Sequence, residues 1–182
     1  RKSNFMERNS NKERFQEPAL SEYEDAGWLN KITYESENVI KIRRELHIKD
    51  NLGEKTINEE GVYKKVYVDE LDSDFFVVNL DQSTSGCLPE GVACYIPQWD
   101  IILVSEQIKL EEGENLGSKD FTILTHEIGH REDYKNNTIS QLKQLTYAER
   151  EVRAWQTAID KYGDNPKFNH KYANSDIASY IN

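Results

Sequence analysis

The chain has 182 residues, of which 37% are apolar and 31% charged, and its 33 Asp and Glu against 23 Lys and Arg leave a formal net charge of −10. That acidic balance excludes nucleic acid or an anionic membrane held by bulk electrostatics, and no apolar run approaches the roughly 18 residues a membrane helix needs. A chain of this size suffices for one domain with its own core, so residues 1–182 are expected to form a single domain.

The sequence opens on Arg1 rather than Met, which predicts a processed or trimmed chain, and the opening RKSNFMERNSNKERFQEP is too polar for an uncleaved signal peptide. Residues 1–30 read as a charged extension, with apolar positions sparse at Phe5, Phe15, Leu20, Tyr23, Trp28 and Leu29, and one or two helices are expected there. From Ile32 the texture changes. Val39–Ile42, Val62–Val68 and Phe75–Leu80 are β-branched and aromatic runs, separated by turn-prone stretches at Asp50–Gly53 and Asp69–Asp74. They predict antiparallel strands. Val92–Ile96 and Ile101–Val104 form a further pair around a turn at Pro97–Asp100. Cys87 and Cys94 lie in SGCLPEGVAC, where they close a small loop in an oxidising compartment and stay thiols in a reducing one.

After a Glu- and Gly-rich loop the pattern turns helical. Ser118 or Asp120 is placed to cap a helix through Phe121, Leu124 and Ile128 to about Tyr134. A second helix is expected from Ile139 or Thr146 to just before Gly163 and Pro166, and the tail from Lys167 adds a last short one. Strands first and helices last is an α+β layout.

Within the first helix stands His126-Glu127-Ile128-Gly129-His130, an HExxH. Residues i and i+4 share a helix face about 6 Å apart along the axis, so both imidazoles can converge on one zinc ion. Glu127 is placed beside them as a general base for water acidified by the ion. By residue frequency alone such a motif arises by accident in roughly one such sequence in a hundred.

Zinc needs a third protein ligand and a position left open to solvent. On a helical projection, Ala148, Val152, Trp155, Ala158, Ile159 and Tyr162 share an apolar face. Glu151 falls inside that face, and Glu149 points roughly 120° away from it. A carboxylate in a buried stripe is costly unless coordinated or paired, so Glu151 is the expected ligand, Glu149 the alternative, and an ion pair of Glu151 with Arg131 the structural explanation. Asp133 reads as an outer partner or a surface charge. His47 is isolated, and so is His170, which could reach the site to stabilise a transition state.

His126-Glu127-x-x-His130 followed by a helical Glu some twenty residues on resembles the gluzincin metallopeptidases of the zincin superfamily. Glu151-x-x-x-Trp155 is similar to the short zinc peptidases of the ImmA/IrrE type. The segment from Tyr95 through Pro97, Asp100, Ile102 and Leu103 is similar to the metallopeptidase part of antirestriction proteins. The resemblance covers residues 92–162, the expected core of the metal site. Asp133 and Asn136 stand where the longer metzincin motif has Gly and His, which turns the comparison away from that group.

The resemblance implies a zincin-like α+β fold, a small antiparallel or mixed sheet whose edge strand packs against the HExxH helix, and a second helix bearing the last ligand. It implies one Zn2+ held by His126, His130 and Glu151, with Glu127 catalytic, and a protein or peptide substrate hydrolysed at a peptide bond. Ile101–Val104 is the candidate edge strand for an extended substrate, with a buried core strand as the alternative reading. Tyr95, Trp99 and Tyr134 are candidate pocket residues, and Tyr134 or Tyr147 a candidate donor to the developing oxyanion. The competing reading is a regulatory or protein-binding module of the same fold with a structural metal; a toxin with one narrow protein substrate would share the first chemistry.

Overall fold

A computed structural model of the chain describes residues 31–81, 92–97, 99–111, 113 and 115–181. The helices expected within residues 1–30, and Cys87 with its pairing to Cys94, lie outside the described residues. The strands are β1 (Lys31–Tyr34), β2 (Val39–Asp50), β3 (Gly53–Val68), β4 (Ser73–Val78), β5 (Ala93–Ile96) and β6 (Ile101–Val104). The helices are α1 (Ser118–Asn136), α2 (Ile139–Lys143), α3 (Tyr147–Tyr162) and α4 (His170–Ile181). The described residues thus make a mixed α+β fold.

The strands form one sheet in the order β1-β2-β3-β4-β6-β5. β2 and β3 pair antiparallel from Val39↔Lys64 to Asp50↔Gly53, which makes both strands longer than their apolar runs. Their turn is held by Asp50, whose Oδ1 accepts the Leu52 N–H at 2.8 Å, and by Gly53, whose φ of +114° suits glycine. Residues 53–60 of β3 are exposed, so this end of the hairpin stands in solvent on both faces. β1 was not foreseen; its four residues pair antiparallel with Ile40–Arg43 of β2.

Of the two sheet types expected one is found, and the place of Ile101–Val104 needs correction. β4 and β6 run parallel, with Phe76 opposite Leu103 and Val77 opposite Val104, so the sheet is mixed. Ile101–Val104 is also interior, flanked by β4 and β5, and all four of its residues are buried. An unbroken apolar run signals burial on both faces, and an edge strand is where polar residues are tolerated. Ile102 and Val104 join Phe75, Val77, Phe121, Leu124 and Trp155 in one core, while Ile101 and Leu103 join Ile40, Ile42, Tyr63, Phe76 and Ile96 in the other. The edge beside the helices is β5.

α1 is buried along the whole stretch 121–130, which is why its sequence shows little amphipathic contrast. Its N-cap is Gly117 rather than Ser118 or Asp120. Ser118 donates through Oγ to the Lys167 carbonyl at 2.7 Å and so ties α1 to the segment before α4. The second expected helix is two. Thr138 and Thr146 each open one through a capping box, with Gln141 and Glu149 as the reciprocal partners.

Candidate metal centre

The site begins with how closely α1 and α3 approach. A Cβ at Gly129 would lie 2.2 Å from the Ala154 carbonyl oxygen and 2.9 Å from its carbon, so only glycine lets the two backbones meet here. Ala154 is fully buried at that contact. Gly129 sits between the two histidines of the motif and Ala154 one turn after Glu151, so the contact that sets helix spacing also sets ligand spacing.

His126 and His130 project from one face of α1, their ring centroids 4.6 Å apart. Glu151 Oε2 lies 2.7 Å from His126 Nε2 and 3.0 Å from His130 Nε2. One oxygen and two ring nitrogens therefore converge on a single point, and the three residues form a group that could hold a metal ion. The donor set fits one: two nitrogens and a carboxylate suit a borderline cation such as zinc, and tetrahedral ligands at about 2.0–2.1 Å stand about 3.3 Å from one another. The two nitrogen–oxygen separations would open by about 0.3–0.6 Å to reach that spacing.

The charges are arranged for the same end. Burial alone would raise the Glu151 carboxyl, but the hydrogen bonds from His126 and His130 and their charge outweigh it and hold it well below the usual carboxylate range. Burial likewise pushes His130 down, and the hydrogen bond and charge of Glu151, with Glu127 and Asp133, overcome it and lift the imidazole to about 9.

Glu127 is the fourth member. It is 8% exposed, and burial raises its pKa despite the neighbouring imidazoles. Its Oε2 accepts the Tyr95 main-chain N–H from β5 at 2.8 Å. Ser105 N–H bonds to the Val92 carbonyl at 2.8 Å, so alternation turns the main-chain groups of Ala93 and Tyr95 away from β6, toward α1. Among the described residues no strand pairs with β5 on that side.

The remaining candidates fall in several places. Glu149 is the capping partner of Thr146, its Oε1 accepting the Thr146 N–H at 3.0 Å, and it takes no part in the cluster. Asp133 is an outer brace: its Oδ1 and Oδ2 pair with Arg153 at 2.6 and 3.0 Å and so tie α1 to α3 one turn beyond His130. The pairing considered between Arg131 and Glu151 is not formed; Arg131 donates to Ser73 Oγ at 2.9 Å. His170 is at the wrong end of α3, its Nε2 2.8 Å from the Gly163 carbonyl oxygen, roughly 18 Å of helix from Glu151. His47 is on the solvated hairpin beside Glu45.

Tyr95, Trp99 and Tyr134 do not line an opening. All three are buried; Tyr95 packs against Tyr134 with centroids 5.6 Å apart and donates to Asp100 at 2.8 Å, and Trp99 belongs to the opposite core. Aromatic residues beside a turn pack more often than they wait for a ligand. Tyr147, half-exposed, does reach the site. Its ring meets that of Tyr180 edge-on at 5.9 Å, and burial together with the Glu151 charge pushes its phenol well above its ordinary value. Its place one turn before Glu151 was the available signal.

The described helices include none long and apolar enough to cross a membrane. No protein-family model matches the chain, and no curated protein or solved structure matches it, so the convergence of His126, His130 and Glu151 is what its function has to be argued from.

Proposed function

We propose that the chain is a zinc-dependent metallopeptidase of the zincin type, with a protein or peptide as substrate. The observation that carries the reading is the convergence of two imidazoles and one carboxylate from two helices, with a second buried carboxylate beside them. Zinc bound by His126, His130 and Glu151 supplies Lewis acidity, which polarises a carbonyl and lets water lose a proton near neutral pH. Glu127 is the general base and then acid: its carboxylate takes the proton from the attacking water and returns it to the nitrogen of the leaving amine. Its raised pKa suits a group that must hold the proton between those steps. β5, the sheet edge beside the cluster, takes over the substrate-pairing role expected of Ile101–Val104, with the main-chain groups of Ala93 turned away from β6 and the Tyr95 N–H already held by Glu127.

One observation favours the alternative, a regulatory or protein-binding module with a structural metal. The Tyr95 N–H bond ties Glu127 to β5 and offers that carboxylate a purely architectural use. Glu127→Gln separates the two, because glutamine keeps the acceptor oxygen and cannot take the proton. Measured against a mixed peptide library with and without chelator, the variant is expected to bind zinc like the parent and to lose at least about 100-fold in hydrolysis. Hydrolysis that persists in the variant would sink the catalytic role, and a parent that cleaves nothing would favour the module.

A further inference from the structure

His126 Nδ1 is buried and has no hydrogen-bond partner among the described residues. A metal-binding imidazole ordinarily donates its second ring nitrogen to a carboxylate, a carbonyl or water, which fixes both the tautomer and the plane of the ring. His126 has a different support. Its ring lies over the indole of Trp155, with centroids 4.3 Å apart and the planes tilted by 32°. The indole is itself held from α4: Trp155 Nε1 donates to Asp176 Oδ2 at 2.8 Å, and the Tyr172 ring meets it edge-on at 6.1 Å. Trp155 is buried, so the indole has little freedom to leave that position.

A stacked face limits the tilt of the imidazole as an in-plane hydrogen bond would limit its rotation. It also acts on charge. An indole whose N–H donates to a carboxylate gains electron density on its face, and such a face favours a neighbouring ring that has become more positive, as an imidazole does when it ligates a cation.

The geometry points to Trp155 and Asp176 as positioning residues of the metal centre. Trp155 orients His126 for ligation through Nε2, Asp176 fixes the indole, and α4, which contributes no ligand, thereby sets the affinity for the cation. This rests on the reading of His126, His130 and Glu151 as ligands, and it holds whether or not the centre is catalytic.

The test is a zinc competition titration of the full chain and of Asp176→Ala, Asp176→Asn and Trp155→Phe. Cobalt(II) spectra report ligand geometry, and thermal midpoints in chelator report stability without metal. Asp176→Ala is expected to weaken zinc binding about 10-fold and to alter the cobalt spectrum. Asp176→Asn, which keeps an acceptor for Nε1, recovers most of that loss. Trp155→Phe keeps a ring and lacks the N–H, so it matches Asp176→Ala, and combining the two weakens binding no further than either alone. Parental affinity in a folded Asp176→Ala overturns the assignment. So does an affinity loss that Asp176→Asn fails to restore although its metal-free midpoint equals the parent's. A parent chain that binds no cation overturns the ligand reading itself and this inference with it.

Discussion

Glu149 and Glu151 stand two residues apart on α3 and do opposite work. Glu149 closes a capping box with Thr146, in solvent, at the start of the helix. The Glu151 side chain is 12% exposed and bonded to two imidazoles. Glu149→Ala is therefore expected to lower the chemical denaturation midpoint slightly and to leave zinc affinity within about twofold. Glu151→Ala is expected to lose more than about 100-fold in zinc affinity, beyond what loss of an orienting partner alone gives. Equal affinities in the two variants would remove Glu151 from the ligand set. The helical projection separated these residues because charge in an apolar stripe is a strong signal. Of the projected stripe Trp155 and Ala158 are buried and Val152, Ile159 and Tyr162 only partly so, while Arg150 and Ala154, outside the stripe, are buried as well. The face is turned toward small residues, since what α3 meets is a backbone, and hydropathy does not register close approach. Arg150 is buried for a related local reason: its Nη1 donates to the Leu145 carbonyl at 2.7 Å, and so satisfies an acceptor beyond the end of α2.

At the scale of elements, the HExxH helix does not function alone; its partner surface is α3, and Gly129 is where the two touch. Gly129→Ala sets two effects against each other. Alanine in place of a helix-interior glycine favours the helix by about 0.8–1 kcal/mol. Against that, the new Cβ lies 2.2 Å from a carbonyl oxygen of a backbone packed by its own helix, and forcing a methyl into such a contact costs about 1–3 kcal/mol, toward the upper end where backbone must move. Packing should prevail: the variant is expected to unfold at lower denaturant and to bind zinc less tightly, as Glu151 is carried away from His126 and His130. A gain in stability would show that the helices yield at this contact. The same elements mark what could be read beforehand. β4 and β6, buried along their whole length, were visible because burial on both faces leaves a continuous apolar record. The parallel pairing of β4 with β6 was not, since each apolar run is compatible with either direction and the partner choice lies in tertiary contacts. The capping boxes Thr138–Gln141 and Thr146–Glu149 were present as spacings and divide what reads as one helix into two.

On the scale of the whole molecule, the described residues hold two cores on opposite faces of one sheet, and the His126–His130–Glu151 cluster lies beside the one that contains Ile128 and Trp155. α1 lies across that face with α3 and α4 outside it, and the ties among these helices include the Gly129–Ala154 contact, Asp133 with Arg153, Trp155 with Asp176, and the His126–His130–Glu151 cluster. A cation bound at 100 times its dissociation constant would add about 2.7 kcal/mol to the folded state. That gain acts through α1 and α3, the elements that carry its ligands. Without a cation the cluster keeps hydrogen bonds of 2.7 and 3.0 Å, so the helices have a reason to stay docked and the chain a reason to stay folded. Chelation is thus expected to lower the thermal midpoint without unfolding the protein at 25 °C. Amide hydrogen exchange should locate the change: faster exchange along α3, α4 and residues 126–130, with β4 and β6 unaltered. Residues 53–60 of the solvated hairpin should exchange fast in both states, because all eight are exposed. Uniform acceleration across sheet and helices would mean that the cation stabilises the domain as one cooperative unit; no change in α3 would mean that no cation is held there.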